Sequence, residues 1–223
     1  MKKRTAFIGV ILSLIPLGQP LLIKTGVVLS GSGLILSLPE KVNAETSSFY
    51  FNRAYEKAEK GDHYGAISDF TKAIEINPSE GAYYNRGILK RNLNDFSGAI
   101  SDYTKAIEIN PKKDEAYYNR GNAKTALKDY YGAISDYTKA IEIRPAVDAY
   151  NNRGNRKVNI KDYYGAISDF NKALEMNPNS EIVLKNRGIA KEYIGDIKGA
   201  CDDWRKAFSL GYEKAQKWVK NQC

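Results

Sequence analysis

Along residues 114–147, DEAYYNRGNAKTALKDYYGAISDYTKAIEIRPAV, small and apolar side chains recur at steps of three and four. Ala116, Tyr117, Arg120, Gly121, Lys124 and Leu127 fall on one face of a first helix. Ala133, Ile134, Tyr137, Ala140 and Ile141 form the inner stripe of a second, running from about Gly132 to Ile143, with KDYY as the turn between them. Asp114 and Glu115 suit the positive end of the first helix dipole. Pro145 stops the second helix, because proline lacks the N–H that a helix interior needs. The pattern predicts an antiparallel helical hairpin.

The hairpin recurs. AYYNRG occupies 82–87 and 116–121, AYNNRG fills 149–154, and LKNRG fills 184–188. The second half recurs as GAISDFTKAIEINP at 65–78, then at 98–111, 132–145 and 165–178, with a divergent copy, GACDDWRKAFSLGY, at 199–212. The alanine after the glycine falls at 66, 99, 133, 166 and 200, a period of 33 or 34 residues. One hairpin cannot bury both of its faces, but stacking five creates a continuous core. Gly121 is expected where the two helices cross, opposite Ala133 and Ala140, with Tyr117 and Tyr137 filling the space around them. Glycine inside a helix costs about 1 kcal/mol relative to alanine. Its return at 87, 121, 154 and 188, with Ala54 in the first unit, says that close packing outweighs that cost.

An aromatic residue, a small residue four positions on, then alanine, aromatic, alanine and proline appear in the second unit as Tyr83, Gly87, Ala99, Tyr103, Ala106 and Pro111. This set, repeated along 47–212, resembles the tetratricopeptide repeat family. The resemblance implies an all-α, right-handed α-solenoid within 45–223, with repeats at about 47–79, 80–113, 114–146, 147–180 and 181–212 and a capping helix at 213–222. Two positions depart from the family pattern. Arginine stands before the small residue where leucine is usual, and lysine stands three residues after it where tyrosine is usual. Each arginine has an aspartate 16 residues on: Arg53 and Asp69, Arg86 and Asp102, Arg120 and Asp136, Arg153 and Asp169, Arg187 and Asp203. These levels are close in a hairpin, so a pair is expected in each, with the arginine stem buried and its head at the edge. The five arginines as an anion site is the other reading.

In the resembling family the first helices line a concave groove that takes peptides or protein segments. The matching positions here carry Asn52, Asn85, Asn119, Asn152 and Asn186, flanked by Tyr84, Tyr118 and Asn151 and, one turn on, by Tyr55, Asn122 and Asn155. Asparagine offers a donor and an acceptor to an extended backbone, and tyrosine offers rigid apolar area with a hydroxyl. The asparagines equally suit bonds between neighbouring helices. Family members that clamp a C-terminal carboxylate use lysines where this sequence has Gly81, Glu115 and Asp148, which speaks against that ligand. The resemblance implies a non-catalytic adaptor or scaffold for a protein or peptide partner. The alternatives are a self-associating structural protein or a non-catalytic subunit of an enzyme complex.

Composition changes this picture little. The single histidine, His63, falls in a turn where other units have Phe96, Tyr130, Tyr163 and Ile197, which fits packing. No glycine-rich phosphate loop follows a strand pattern and no Cys/His cluster has metal spacing, so no catalytic residue, metal or cofactor is expected. The basic start MKKR, two apolar runs broken by Pro16, Pro20 and Lys24, and small residues before Ala44 read as a signal cleaved after Ala44, or as an uncleaved anchor. Without residues 1–44 the formal charge of +8 falls to +4, with no basic block, so nucleic acid is not an expected partner. Membrane contact is expected only through an uncleaved N-terminal segment. The layout resembles that of exported bacterial proteins, cyanobacterial ones among them, which implies a periplasmic, lumenal or extracellular location. An antiparallel cap would bring Cys223 beside Cys201, where a disulfide or two free thiols are both open.

Overall fold

The computed structural model describes residues 38–223. Among them the polypeptide forms eleven helices and no strand. They are α1 (Leu38–Glu59), α2 (His63–Ile76), α3 (Glu80–Asn92), α4 (Phe96–Ile109), α5 (Asp114–Ala126) and α6 (Tyr130–Ile143). α7 (Val147–Asn159), α8 (Tyr163–Met176), α9 (Glu181–Tyr193), α10 (Ile197–Ser209) and α11 (Ala215–Gln222) follow. The expected leader lies outside the described residues up to position 37, and Ala44 falls inside α1.

Odd and even helices pair as five hairpins, each even helix packs on the next odd one, and α11 packs on α10. An all-α solenoid results. Its turns have a local cause. Asp62, Asp95, Asp129, Asp162 and Asp196 each cap an even helix by accepting from the amide of the glycine three residues on. A Cβ on those glycines would overlap the capping carboxylate, which explains the recurring Gly before Ala. The cap at Asp129 starts α6 at Tyr130, two residues before the expected Gly132, so Tyr130 and Tyr131 belong to the helix rather than to the turn.

The crossing differs from expectation in its partner. A Cβ at Gly121 would sit 2.9 Å from Tyr137 Cε1, and one at Gly87 would sit 2.8 Å from Tyr103 Cε1. The glycine therefore faces the aromatic ring of the second helix, not Ala133 and Ala140, which are buried elsewhere in the core. Rings are larger than methyl groups, so it is the aromatic that needs the missing Cβ. Phe70, Tyr103, Tyr137, Phe170 and Trp204 fill this place in turn and are at most 1% exposed. Leu127, expected on the buried face, caps α5 and is 49% exposed. At the far end Tyr212, Trp218 and Val219 cover Trp204 and Ala207. Cys201 and Cys223 form a disulfide there, with an S–S distance of 2.04 Å.

Candidate functional site

The inner face rests on five ionic clasps. In the third hairpin Arg120 donates from Nε to Asp136 Oδ2 at 2.9 Å and from its terminal nitrogen to Oδ1 at 2.7 Å. Lys124, one turn along α5, reaches the same Oδ2 at 2.8 Å. The other hairpins repeat this with Arg53, Lys57 and Asp69; Arg86, Lys90 and Asp102; Arg153, Lys157 and Asp169; and Arg187, Lys191 and Asp203. The lysine was the missing member, and its signal is its recurrence three residues after the small residue. Both departures from the family pattern thus serve one carboxylate. The arginine side chains keep 14–33% exposure, whereas the aspartates they hold are only 1–4% exposed. Burial alone would raise the Asp69 carboxyl, but the hydrogen bonds and charges of Arg53 and Lys57 outweigh it and hold Asp69 below the usual carboxylate range.

The remaining guanidinium nitrogen reaches back to the preceding hairpin. Arg86 donates to Thr71 Oγ1, Arg120 to Thr104, Arg153 to Thr138 and Arg187 to Asn171 Oδ1, at 2.8–3.0 Å. Each arginine therefore ties its own two helices together and its repeat to the one before. The equivalent place on α10 is Arg205, which donates to the Cys223 carbonyl.

Most of the expected groove residues join adjacent repeats. Asn119 Nδ2 donates to the Tyr84 hydroxyl and Asn152 Nδ2 to the Tyr118 hydroxyl, each at 2.9 Å. Asn186 Nδ2 donates to Asn151 Oδ1 at 2.8 Å. Asn122 Oδ1 accepts from the Tyr137 hydroxyl at 2.7 Å, and Asn119 Oδ1 accepts from Arg91 at 2.8 Å. Asn85 turns back to the Gly81 carbonyl of its own helix. Asn52 and Tyr55 are exposed, Tyr55 by 47%, and Asn155 is partly exposed. Burial raises the phenols of Tyr84 and Tyr118 and pushes Tyr137 up to about 12, so all three stay neutral donors and acceptors. A cleft between α5, α6 and α7 is lined by Glu115, Tyr118, Arg144 and Asp148, with Arg144 bound to Asp114 and Glu115 at 2.6 Å. Among the described residues no three His, Cys, Asp or Glu side chains converge as a metal site, and no helix is long and apolar enough to cross a membrane.

An array of clasped hairpins whose first helices share one polar, tyrosine-bearing face defines a helical-repeat scaffold. The protein belongs to the tetratricopeptide repeat family: models described as Tetratricopeptide repeat match residues 47–80, 81–113, 114–146 and 147–180. Three solved structures show the same fold. A MamA protein structure superposes with a TM-score of 0.72 at 25% identity, over 77% of this protein and 95% of that one. YrrB, described as a TPR protein with an unusual peptide-binding site, gives 0.72 at 20% identity, over 84% and 98%. The pilF protein of Pseudomonas aeruginosa gives 0.63 at 19% identity, over 76% and 78%. A search of curated protein sequences gave no significant match.

Proposed function

We propose that the protein is a non-catalytic adaptor, which holds an extended segment of a partner protein along the face lined by α1, α3, α5, α7 and α9. The observation that carries this reading is the state of one position per repeat, filled by Tyr55, Ile88, Asn122, Asn155 and Ile189. None of these residues is fully buried: Tyr55 is exposed and the other four are partly exposed, unlike the buried small residue just before each of them. The face they share is held rigid by the clasps and the asparagine bonds, so a ligand would meet a preformed surface and little ordering cost. Tyrosine, isoleucine and asparagine there offer apolar area with amide donors and acceptors, which suits a peptide backbone and its alternate side chains. The description of YrrB as peptide-binding supports the class of ligand. We further propose export to an oxidising compartment, supported by the Cys201–Cys223 disulfide at the end of the stack.

Because Asn119 and Asn152 hold the stack, they are poor probes of binding. Photo-crosslinking residues placed singly at Tyr55, Asn155 and Ile189, and as controls at the exposed Lys105 and Lys139 of the even helices, test the reading in the native compartment. One partner segment crosslinked from the inner positions and absent from the controls is the expected result. Equal yields from both sets would mean that the inner face is not the binding surface.

A further inference from the structure

Four of the five clasps carry an aromatic lid that the fifth lacks. The residue three before the clasp arginine is Tyr50, Tyr83, Tyr117 and Tyr150 in the first four hairpins and Leu184 in the last. The guanidinium carbons of Arg53, Arg86, Arg120 and Arg153 lie 5.1–5.6 Å from the centres of those rings. The same rings meet a lysine of the second helix. Lys72 Nζ lies 5.4 Å from the centre of the Tyr50 ring. The phenols of Tyr83, Tyr117 and Tyr150 are near enough to Lys105, Lys139 and Lys172 to feel their charge. Each tyrosine is therefore set between the clasp arginine and a lysine of the even helix.

In the fifth hairpin both cations remain and the ring is gone. Arg187 is held as its counterparts are, and Lys206 takes the place of Lys172. Leu184 is shorter than tyrosine and only 1% exposed, so it stays in the core instead of reaching out over the guanidinium. A cavity of about 450 Å³ opens there, with Leu174, Pro178 and Leu184 as apolar walls and Asn171, Arg187 and Lys206 as polar ones. Apolar walls with a few convergent polar groups are what a small binding site needs. Lys206 differs in a second way. Lys105, Lys139 and Lys172 each pair with the glutamate three residues on, where the fifth copy has the uncharged Ser209. The guanidinium edge is committed, since Nε and one terminal nitrogen donate to Asp203 and the other donates to Asn171. Its flat face is what the missing ring leaves open, and a flat face suits an aromatic ring better than an anion. Lys206 can donate to the oxygen of a phenol on that ring.

We propose that this cavity between α8, α9 and α10 is a docking site for a tyrosine side chain of a partner protein, which fills the place that Tyr83, Tyr117 and Tyr150 fill in their own repeats. The repeats themselves supply the template for the occupant: a ring over the arginine and a hydroxyl toward the lysine. None of the walls belongs to the row of positions assigned above to the inner groove, so the site stands or falls independently of that groove.

The test uses the full-length protein with its disulfide intact, titrated in an NMR experiment with the blocked tripeptide acetyl-Ala-Tyr-Ala-amide and its Phe and Leu analogues. The tyrosine probe should shift the Leu174 and Leu184 methyl signals and the Arg187 Nε–H signal. It should bind about tenfold more tightly than the leucine probe, with the phenylalanine probe between them. Leu184→Tyr refills the cavity from within and should abolish these shifts while keeping the wild-type circular dichroism. Lys206→Met, at an exposed position, should bring the tyrosine probe down to the affinity of the phenylalanine probe and leave the latter unchanged. Should Leu184→Tyr fold poorly, Lys206→Met and the ranking of the three probes decide the matter. Equal binding of the leucine and tyrosine probes, no shift at these groups with millimolar probe, or full binding by a folded Leu184→Tyr would overturn the site. Self-association of the wild type that Leu184→Tyr removes would mean that a second copy supplies the ring from its exposed Tyr64, Tyr131 or Tyr164, and would overturn the assignment to a partner protein.

Discussion

Replacing Asp136 by alanine in the central hairpin tests the energetics of the clasp most directly. Asp136 is 2% exposed and accepts two bonds from Arg120 and one from Lys124, at 2.7–2.9 Å. The cations are also shielded, with the Arg120 and Lys124 side chains 16% and 21% exposed. Removing one member of a buried ion pair costs about 3–5 kcal/mol, because the charge left behind stays desolvated. Partial exposure lets the two cations turn toward water, which places Asp136→Ala near the lower end, about 3 kcal/mol. Lys124→Met leaves the two-pronged arginine contact intact and should cost about 1 kcal/mol. Replacing all three by Met, Met and Leu removes every stranded charge and should recover most of the loss. Urea denaturation followed by circular dichroism gives each value. A loss below about 1 kcal/mol for Asp136→Ala would refute the picture of a desolvated carboxylate. A triple variant no better than Asp136→Ala would show that the loss comes from packing rather than charge.

Other outcomes follow from the same geometry. Lys128 adopts φ 63° in the turn before α6, a conformation that costs a residue bearing a Cβ about 1–2 kcal/mol. Lys128→Gly should therefore stabilise by a few tenths to about 1 kcal/mol once glycine's backbone entropy is counted, read as a raised urea midpoint. Reducing Cys201–Cys223, which are 22 residues apart, should cost about 3 kcal/mol and loosen α11, read as faster amide exchange at Trp218. Asp69 is held below its ordinary value of 3.8, so its share of stability is present above that pH and is lost as pH falls through the folded value. The gap between wild type and Asp69→Asn should accordingly narrow as the pH is lowered through and below 3.8. Lys185 is held below 10.5, so the unfolded state binds the extra proton and wild-type stability rises with pH. Lys185→Met should be the more stable form at neutral pH, by a margin that narrows as the pH rises toward 10.5.

The hairpins were legible because hydrophobic period, proline stops and exact repetition all point to one answer. The level of Arg120 against Asp136 was legible too, since a sixteen-residue step in a short hairpin returns the backbone to the same height. What escaped needed a second neighbour. Lys124 was visible as a recurring lysine, but its target depends on how far the aspartate sinks into the core, and that depth is set by the ring of Tyr137 against Gly121. The contact of Arg120 with Thr104 and the bond from Asn119 to Tyr84 depend on the rotation between repeats, which no single repeat encodes. The even helices start early because Asp129 caps α6 directly, so the helix takes in Tyr130 and Tyr131 of the KDYY stretch that reads as the turn.

The same clasp that builds the stack also decides where it stops. Inside the array, each arginine from Arg86 to Arg187 finds an acceptor on the hairpin before it. Among the described residues no hairpin precedes Arg53, and its guanidinium is covered by the rings of Phe49 and Tyr50, each centred 5.1 Å away. At the other end the acceptor place is taken by a donor, Arg205, and the apolar surface beyond it is closed by α11. A second copy stacked in register would bring its Arg53 against Arg205, so like charges would meet where the array needs a hydrogen bond. On the adaptor reading proposed above, end-to-end growth would be opposed by charge as well as by the cap, while the inner face keeps the exposed Asn52 and Tyr55. Repulsion at the ends and open capacity along the inside would suit the proposed finite adaptor, and a self-propagating structural array would call for the reverse, so the molecular mass in solution separates the two: a ladder of end-to-end oligomers would overturn the adaptor proposal.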